Sequence, residues 1–336
     1  MKGAALTIML AVGLTGSVST APARTGLVYD SIYLEHITGP RHPERPERLK
    51  AIIDGLKTRG LFDRLALLKP RAAERQWLET VHRPEHIDAV AEACRRGDSW
   101  IGMPDTPICR RSYDVALMAV GGVLAATDAV MQGRVNNAFC AIRPPGHHAT
   151  PTQAMGFCLF NNVAIAARYL QRRWRVGRVL IVDWDVHHGN GTQEIFYDDP
   201  TVFYFSVHRY PFYPGSGSSD ETGIGKGRGF TLNVPLPAGS GDEAFIDAFR
   251  ERLLPAAQKF HPDFILISAG FDAHKADPLG GMSMSAAGYG ELTRIVMEIA
   301  EQCCGGRIVS VLEGGYNLEA LAASVAEHIR QLLRAD

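Results

Sequence analysis

Arg178-Val179-Leu180-Ile181-Val182-Asp183-Trp184-Asp185-Val186-His187-His188-Gly189-Asn190-Gly191-Thr192 joins a short apolar run to a cluster of acids, histidines and glycines. The run at 178–182 reads as a buried strand, and similar β-rich runs recur at 137–142, 202–207, 264–268 and 307–312. Helix-period segments at 112–131, 161–173, 242–259, 285–302 and 318–333 lie between most of them. Strands alternating with helices predict an α/β fold: a single parallel sheet flanked by helices on both faces. Ligands of such a sheet bind beyond the carboxyl ends of the strands. That directs attention to the glycine-rich segments 143–148, 183–192, 208–217, 270–281 and 313–317.

Short loops, no internal repeat and no low-complexity linker predict a single domain over 24–336. The 35 Lys and Arg against 36 Asp and Glu leave a net charge of −1, so no bulk field draws the chain to nucleic acid or to an anionic membrane. Cys94, Cys109, Cys140, Cys158, Cys303 and Cys304 form no C-x-x-C pair, which excludes a disulfide-framed mini-domain and a thiolate zinc site.

In the opening stretch, an extended backbone would send Asp183, Asp185 and His187 to one side, where a carboxylate and an imidazole can address one ion. A solvated acidic loop would need neither the alternation nor the strand before it. A catalytic zinc site takes three protein ligands and keeps one position open. Asp272, closing Ala269-Gly270-Phe271-Asp272 after another buried run, is the candidate third ligand; alone it reads equally as a helix cap. His147 and His148 follow Arg143-Pro144-Pro145-Gly146, a stiff turning segment, and two adjacent imidazoles suit proton transfer. At this point the pair competes with His187 for the role of metal ligand. In Glu313-Gly314-Gly315-Tyr316, two glycines allow a tight turn that aims a phenol at an oxyanion.

Taken together, Arg143 to His148, Gly156-Phe157-Cys158-Leu159-Phe160-Asn161-Asn162, Asp183 to Thr192, Ala269 to Asp272 and Glu313 to Tyr316 resemble the histone deacetylase family, which includes acetoin-utilisation proteins and acetylpolyamine amidohydrolases. His42-Pro43-Glu44-Arg45-Pro46-Glu47-Arg48-Leu49 matches a signature of its bacterial and class II members. The resemblance implies the arginase/deacetylase fold, with a parallel sheet of about eight strands. It implies a zinc-dependent hydrolase that removes an acetyl or short acyl group from an N-acyl amide such as acetyl-lysine, with zinc on Asp185, His187 and Asp272 and a structural role for His188. By the same resemblance Tyr316 polarises the acyl carbonyl, His148 is general base and proton shuttle paired with Asn190, and His147 is an electrostatic partner bonded to Asp183.

The resemblance also implies an inner potassium site at Asp183, Asp185, His187, Ser206 and Val207, and an outer potassium or sodium site at Phe196, Asp199, Val202 and Phe230. Its substrate tunnel maps onto Phe157 and Tyr213 as walls, Gly156 beside them, and Asp105 as acceptor for a bound peptide backbone. Tyr213 stands where phenylalanine is more usual. Leu279 occupies the position that carries a glutamate gatekeeper in polyamine-selective members, which disfavours acetylpolyamines. Asparagine at 190 and leucine at 279 point to a class II type site, and Tyr316 separates it from the animal class IIa enzymes, which hold histidine there. An arginase-type dimanganese enzyme would need carboxylates where Gly189 and His274 stand. A non-catalytic module that binds acylated ligands would not need the intact ligand, histidine and tyrosine set.

The amino end adds one expectation. Lys2, an apolar run over 4–14 and the ending Ala21-Pro22-Ala23 have the form of a secretory signal peptide over 1–23; a disordered tail or a mis-chosen start codon is the competing reading. The run is too short to span a bilayer. Export predicts that Edman sequencing of the native protein begins near Arg24; recovery of an intact Met1 would contradict it.

Overall fold

Val179–Asp183, Phe264–Ala269 and Ile308–Leu312 are buried along their whole lengths, as strands covered on both faces must be. They are the fourth, seventh and eighth of eight strands: β1 (Thr25–Val28), β2 (Ala66–Leu68), β3 (Asn137–Cys140), β4 (Val179–Asp183), β5 (Val202–Arg209), β6 (Thr231–Leu236), β7 (Phe264–Ala269) and β8 (Ile308–Leu312). All neighbours pair in parallel, in the order β2-β1-β3-β8-β7-β4-β5-β6. This is the single parallel sheet of about eight strands expected above. The computed structural model describes Met1 and residues 25–335, so the candidate leader over 1–23 lies, but for Met1, outside the described residues.

Helix Ser112–Met131 is long and apolar enough to cross a membrane, yet its buried residues run through the hydrophobic core, which accounts for its composition. Helices Asn162–Trp174, Ala286–Cys304 and Leu318–Leu332 lie within a residue or two of the predicted segments. The predicted helix over 242–259 is interrupted: Asp242–Asp247 and Leu254–Phe260 are α-helical, and Ala248–Leu253 between them is π-helical. Pro255 has no N–H to give to an i→i−4 bond, which favours the looser turn before it. The first strand ends at Val28, because Asp30 caps a 3-10 turn by accepting from the Ile32 amide at 2.9 Å.

The topology assembles the site. β3, β8, β7 and β4 are consecutive in the sheet though scattered in sequence, so the segments after all four leave from one stretch of its carboxyl edge. Two of these segments are held by a fully buried ionic group. Glu44 receives Arg143 through both carboxylate oxygens, with Nη2 to Oε2 at 2.6 Å, and Arg48 through Nη1 at 3.1 Å. Arg48 also donates to the carbonyls of Gly315 at 2.6 Å and Glu313 at 2.5 Å, which ties the tyrosine-bearing turn to the same anion.

Burial alone would raise the Glu44 carboxyl, but the charges and hydrogen bonds of Arg143 and Arg48 bring it down to about 2 from 4.5. Its contribution to stability is therefore complete above about pH 4.5 and is lost as pH falls toward 2. Glu44→Gln leaves two buried guanidinium groups without their anion and is expected to cost about 3–5 kcal/mol in urea unfolding at neutral pH. An unchanged midpoint would contradict the bracing role.

Candidate active site

Asp183 ends β4, and the chain then departs from the extended path assumed in the sequence reading. The Asp185 amide donates to Asp183 Oδ1 at 3.2 Å and the His187 amide to Asp185 Oδ1 at 2.9 Å. Successive side-chain turns, not strand alternation, thus direct these groups. Asp183 ends up beneath the site, with Oδ2 at 3.0 Å from both His147 Nδ1 and the Tyr204 hydroxyl. Asp185 and His187 meet Asp272 from β7: one ligand atom from each lies within 4.8 Å of the others, the one such group of potential metal ligands among the described residues. His187 Nδ1 faces Asp185 Oδ1 at 3.1 Å and Asp272 Oδ2 at 3.2 Å.

Asp272 is anchored through Oδ1, which accepts the Val186 amide at 2.9 Å, while Oδ2 is buried and receives no amide or hydroxyl, the His187 ring nitrogen being its polar neighbour. Asp185 Oδ2 accepts the Gly314 amide at 2.8 Å. A Cβ at Gly314 would lie 2.1 Å from Asp272 Oδ2, so glycine there is what allows the turn after β8 to lie against the carboxylates. Burial and the Asp185 charge push Asp272 up to about 7. His187 is lowered by burial but raised more by its bonds to both carboxylates, to about 9. A divalent cation among these groups would displace the imidazole proton and neutralise both carboxylates. Two carboxylates and one imidazole fit a three-ligand zinc site with an open position.

The two histidines beside this cluster differ in charge. Burial lowers His147, but Asp183 and Asp185 outweigh it and hold the ring protonated, at about 10. His148 is driven well below its ordinary value by burial and by the positive charges of His147 and His187. Its Nδ1 lies 2.8 Å from Asn190 Oδ1, and the two histidine rings are 4.0 Å apart. His188 points elsewhere, with Nδ1 at 2.8 Å from Ser216 Oγ and Nε2 at 3.0 Å from Gln193 Oε1.

A cavity of about 130 Å³ opens above the cluster, lined by His147, His148, His187, Gly314 and Tyr316 together with every expected substrate residue: Asp105, Gly156, Phe157, Tyr213 and Leu279. Phe157 stands perpendicular to Tyr316 at 5.9 Å, and Tyr213 is edge-on to His148 at 5.2 Å. Gly156 has φ 56°, and a Cβ there would lie 2.3 Å from the His148 ring. Roomier hollows exist, one of about 530 Å³ beside Trp77 and Tyr169, but they hold none of these groups.

The inner cation residues Asp183 and Ser206 are in register on β4 and β5, with Val207 next along. At the outer position the Asp199 carboxylate already receives Arg168 at 2.5 Å and the Thr201 hydroxyl at 2.6 Å, and the Phe196 and Phe230 carbonyls accept amides of Asp199 and Tyr204. Any ion there must share those oxygens.

Three supporting groups escaped the sequence reading although they lie inside the quoted motifs. Glu313 accepts the amides of Gly146 at 2.6 Å and His147 at 3.2 Å and thereby sets the histidine pair. Asp277 accepts the Tyr316 amide at 2.7 Å and the Leu279 amide at 2.9 Å. Glu44 and Arg48 act from the far end of the chain. Their only signal was a charged residue inside each segment, which does not disclose a partner.

A parallel sheet with a narrow cavity and titratable groups at its carboxyl edge defines an α/β enzyme. Residues 42–332 match the family model of the histone deacetylase domain. The chain is 44% identical over 297 residues to a probable deacetylase of Archaeoglobus fulgidus, covering 88% of this chain and 82% of that one. It is 43% identical over 327 residues to histone deacetylase 15 of Arabidopsis thaliana, covering 95% of this chain and 58% of that longer protein. The crystal structure of the HDA15 HD domain superposes with a TM-score of 0.88 at 43% identity, over 93% of this chain and 88% of that one. The chain belongs to the histone deacetylase family and is a deacetylase-type hydrolase.

Proposed function

We infer that this chain hydrolyses linear N-acyl amides such as acetyl-lysine, using one zinc ion held by Asp185, His187 and Asp272. The observation that carries the reading is the convergence of these three groups within 4.8 Å of one another below the cavity, beside the paired rings of His147 and His148. When bound, the ion would supply Lewis acidity toward the acyl oxygen and toward water.

The chain's own residues account for the remaining tasks. Phe157 and Tyr213 flank a slender stem, and the small cavity suits an unbranched acyl chain. His148, neutral and open to the cavity, takes a proton at its Nε2 while Asn190 holds its Nδ1. His147 keeps its proton against Asp183 and contributes positive charge where the tetrahedral intermediate builds up negative charge. Burial and the nearby carboxylates raise Tyr316 well above the ordinary phenol value, so it remains a hydrogen-bond donor to that oxyanion. The Arg48 guanidinium, 5.1 Å from the Tyr316 ring centroid, fixes the ring's position. The potassium sites and export through residues 1–23 belong to the same proposal as accompanying features; neither is needed for the proton transfers.

The purified chain is expected to release acetate from an acetyl-lysine peptide and to lose that activity in a zinc chelator. Tyr316→Phe should lower kcat by about 10²–10³-fold with KM little changed, the scale of one lost oxyanion donor. An unaltered kcat would reject the oxyanion role, and turnover that survives complete chelation would reject the metal.

A further inference from the structure

Asp105 is the one acidic side chain lining the cavity, and it is half-buried, so donors on an entering substrate meet its carboxylate at the mouth. Both of its oxygens are already engaged. Oδ1 accepts the Thr106 hydroxyl at 2.8 Å, and Thr106 Oγ1 in turn accepts the Phe157 amide at 3.3 Å. Oδ2 accepts the Tyr213 hydroxyl at 3.1 Å, from a loop distant in sequence. One hydrogen-bonded chain therefore runs from the Phe157 wall through Asp105 to the Tyr213 wall and closes one side of the mouth. Burial and the Asp105 charge raise the Tyr213 phenol, which keeps its proton and its role as donor. The ring itself rests edge-on against His148 and at 6.0 Å from His187, so it has little freedom to swing aside.

Resting on the amidohydrolase reading above, we propose that the Tyr213 hydroxyl is a selectivity element: by occupying Asp105 it favours small linear N-acyl amines over acyl-lysines embedded in a polypeptide. A peptide substrate brings main-chain N–H groups to the mouth, and the carboxylate that would receive them is held by Tyr213. Such a peptide must share an oxygen that already accepts the phenol, and gains less from the bond than from a free acceptor. A simple N-alkyl acetamide has the same stem and scissile amide but brings no further donor, so the Tyr213 to Asp105 bond costs it nothing. The ring of Tyr213 serves both substrates alike as a wall; only its oxygen discriminates.

The test compares acetate release from an acetyl-lysine peptide flanked by amides on both sides with release from N-butylacetamide. Tyr213→Phe keeps the wall and removes the donor. It should raise the peptide-to-butylacetamide ratio of kcat/KM about 3- to 10-fold, the worth of one net hydrogen bond, read chiefly as a lower KM for the peptide. Adding Asp105→Ala to that variant should abolish the gain. A ratio that stays constant or falls in Tyr213→Phe, with the enzyme active on both compounds, overturns the selectivity role and leaves the amidohydrolase reading standing. Hydrolysis of neither compound by the unaltered protein overturns that reading and this inference with it.

Discussion

Two carboxylates, Asp185 and Asp272, stand beyond the adjacent strands β4 and β7 with only the His187 imidazole between them, and burying them together is the constraint around which the structure is arranged. Removing an ion from water costs several kcal/mol even after relaxation, and two like charges repel in addition. The surroundings answer with backbone amides, from Val186 to Asp272 and from Gly314 and His187 to Asp185. One oxygen, Asp272 Oδ2, receives no backbone amide and has only the His187 ring nitrogen beside it. A buried carboxylate oxygen so poorly provided is unfavourable for folding alone, and it is the kind of cost that active sites retain.

Charge alternates outward from this centre. Protonated His147 lies between Asp183 and Asp185, neutral His148 lies beyond it, and Glu313 sits under the loop that carries both, with its carboxyl raised to about 7 by burial despite the charge of His147. Farther out, Arg143 and Arg48 bracket Glu44. Each layer fixes the one inside it: Arg48 holds the backbone that presents Tyr316, and Glu313 holds the amides that precede the histidine rings. Functional geometry here depends on buried polar networks whose members are nearly all satisfied.

Much of this was legible in the sequence. The central strands were readable because burial on both faces leaves continuous apolar runs, as in Val179 to Val182 and Phe264 to Ile267. The edge strands were not: Ala66–Leu68 exposes Leu67, and Thr231–Leu236 mixes buried and half-buried positions, so neither presents a clear pattern. Helices Glu47–Thr58 and Pro84–Arg96 were also passed over, their apolar stripes interrupted by polar residues such as Arg48 and His86 that are in fact buried. The ligand and histidine residues could be named from their motifs. What could not be read was why they point as they do: the turn at Asp183 to His187 rests on local side-chain-to-amide bonds that leave no periodic pattern, and the amide acceptors Glu313 and Asp277 and the Tyr213 to Asp105 bond join segments that only the folded sheet brings together.

The central claim is that the Asp185, His187 and Asp272 group exists to hold a metal ion, and metal content by mass spectrometry tests it most directly. After incubation with zinc and removal of the excess, the account predicts one zinc per chain, and a large loss of bound zinc in Asp272→Asn although its circular dichroism remains that of the folded protein. A folded chain that retains no zinc, or an Asp272→Asn variant that binds it as fully as the parent, would contradict the account.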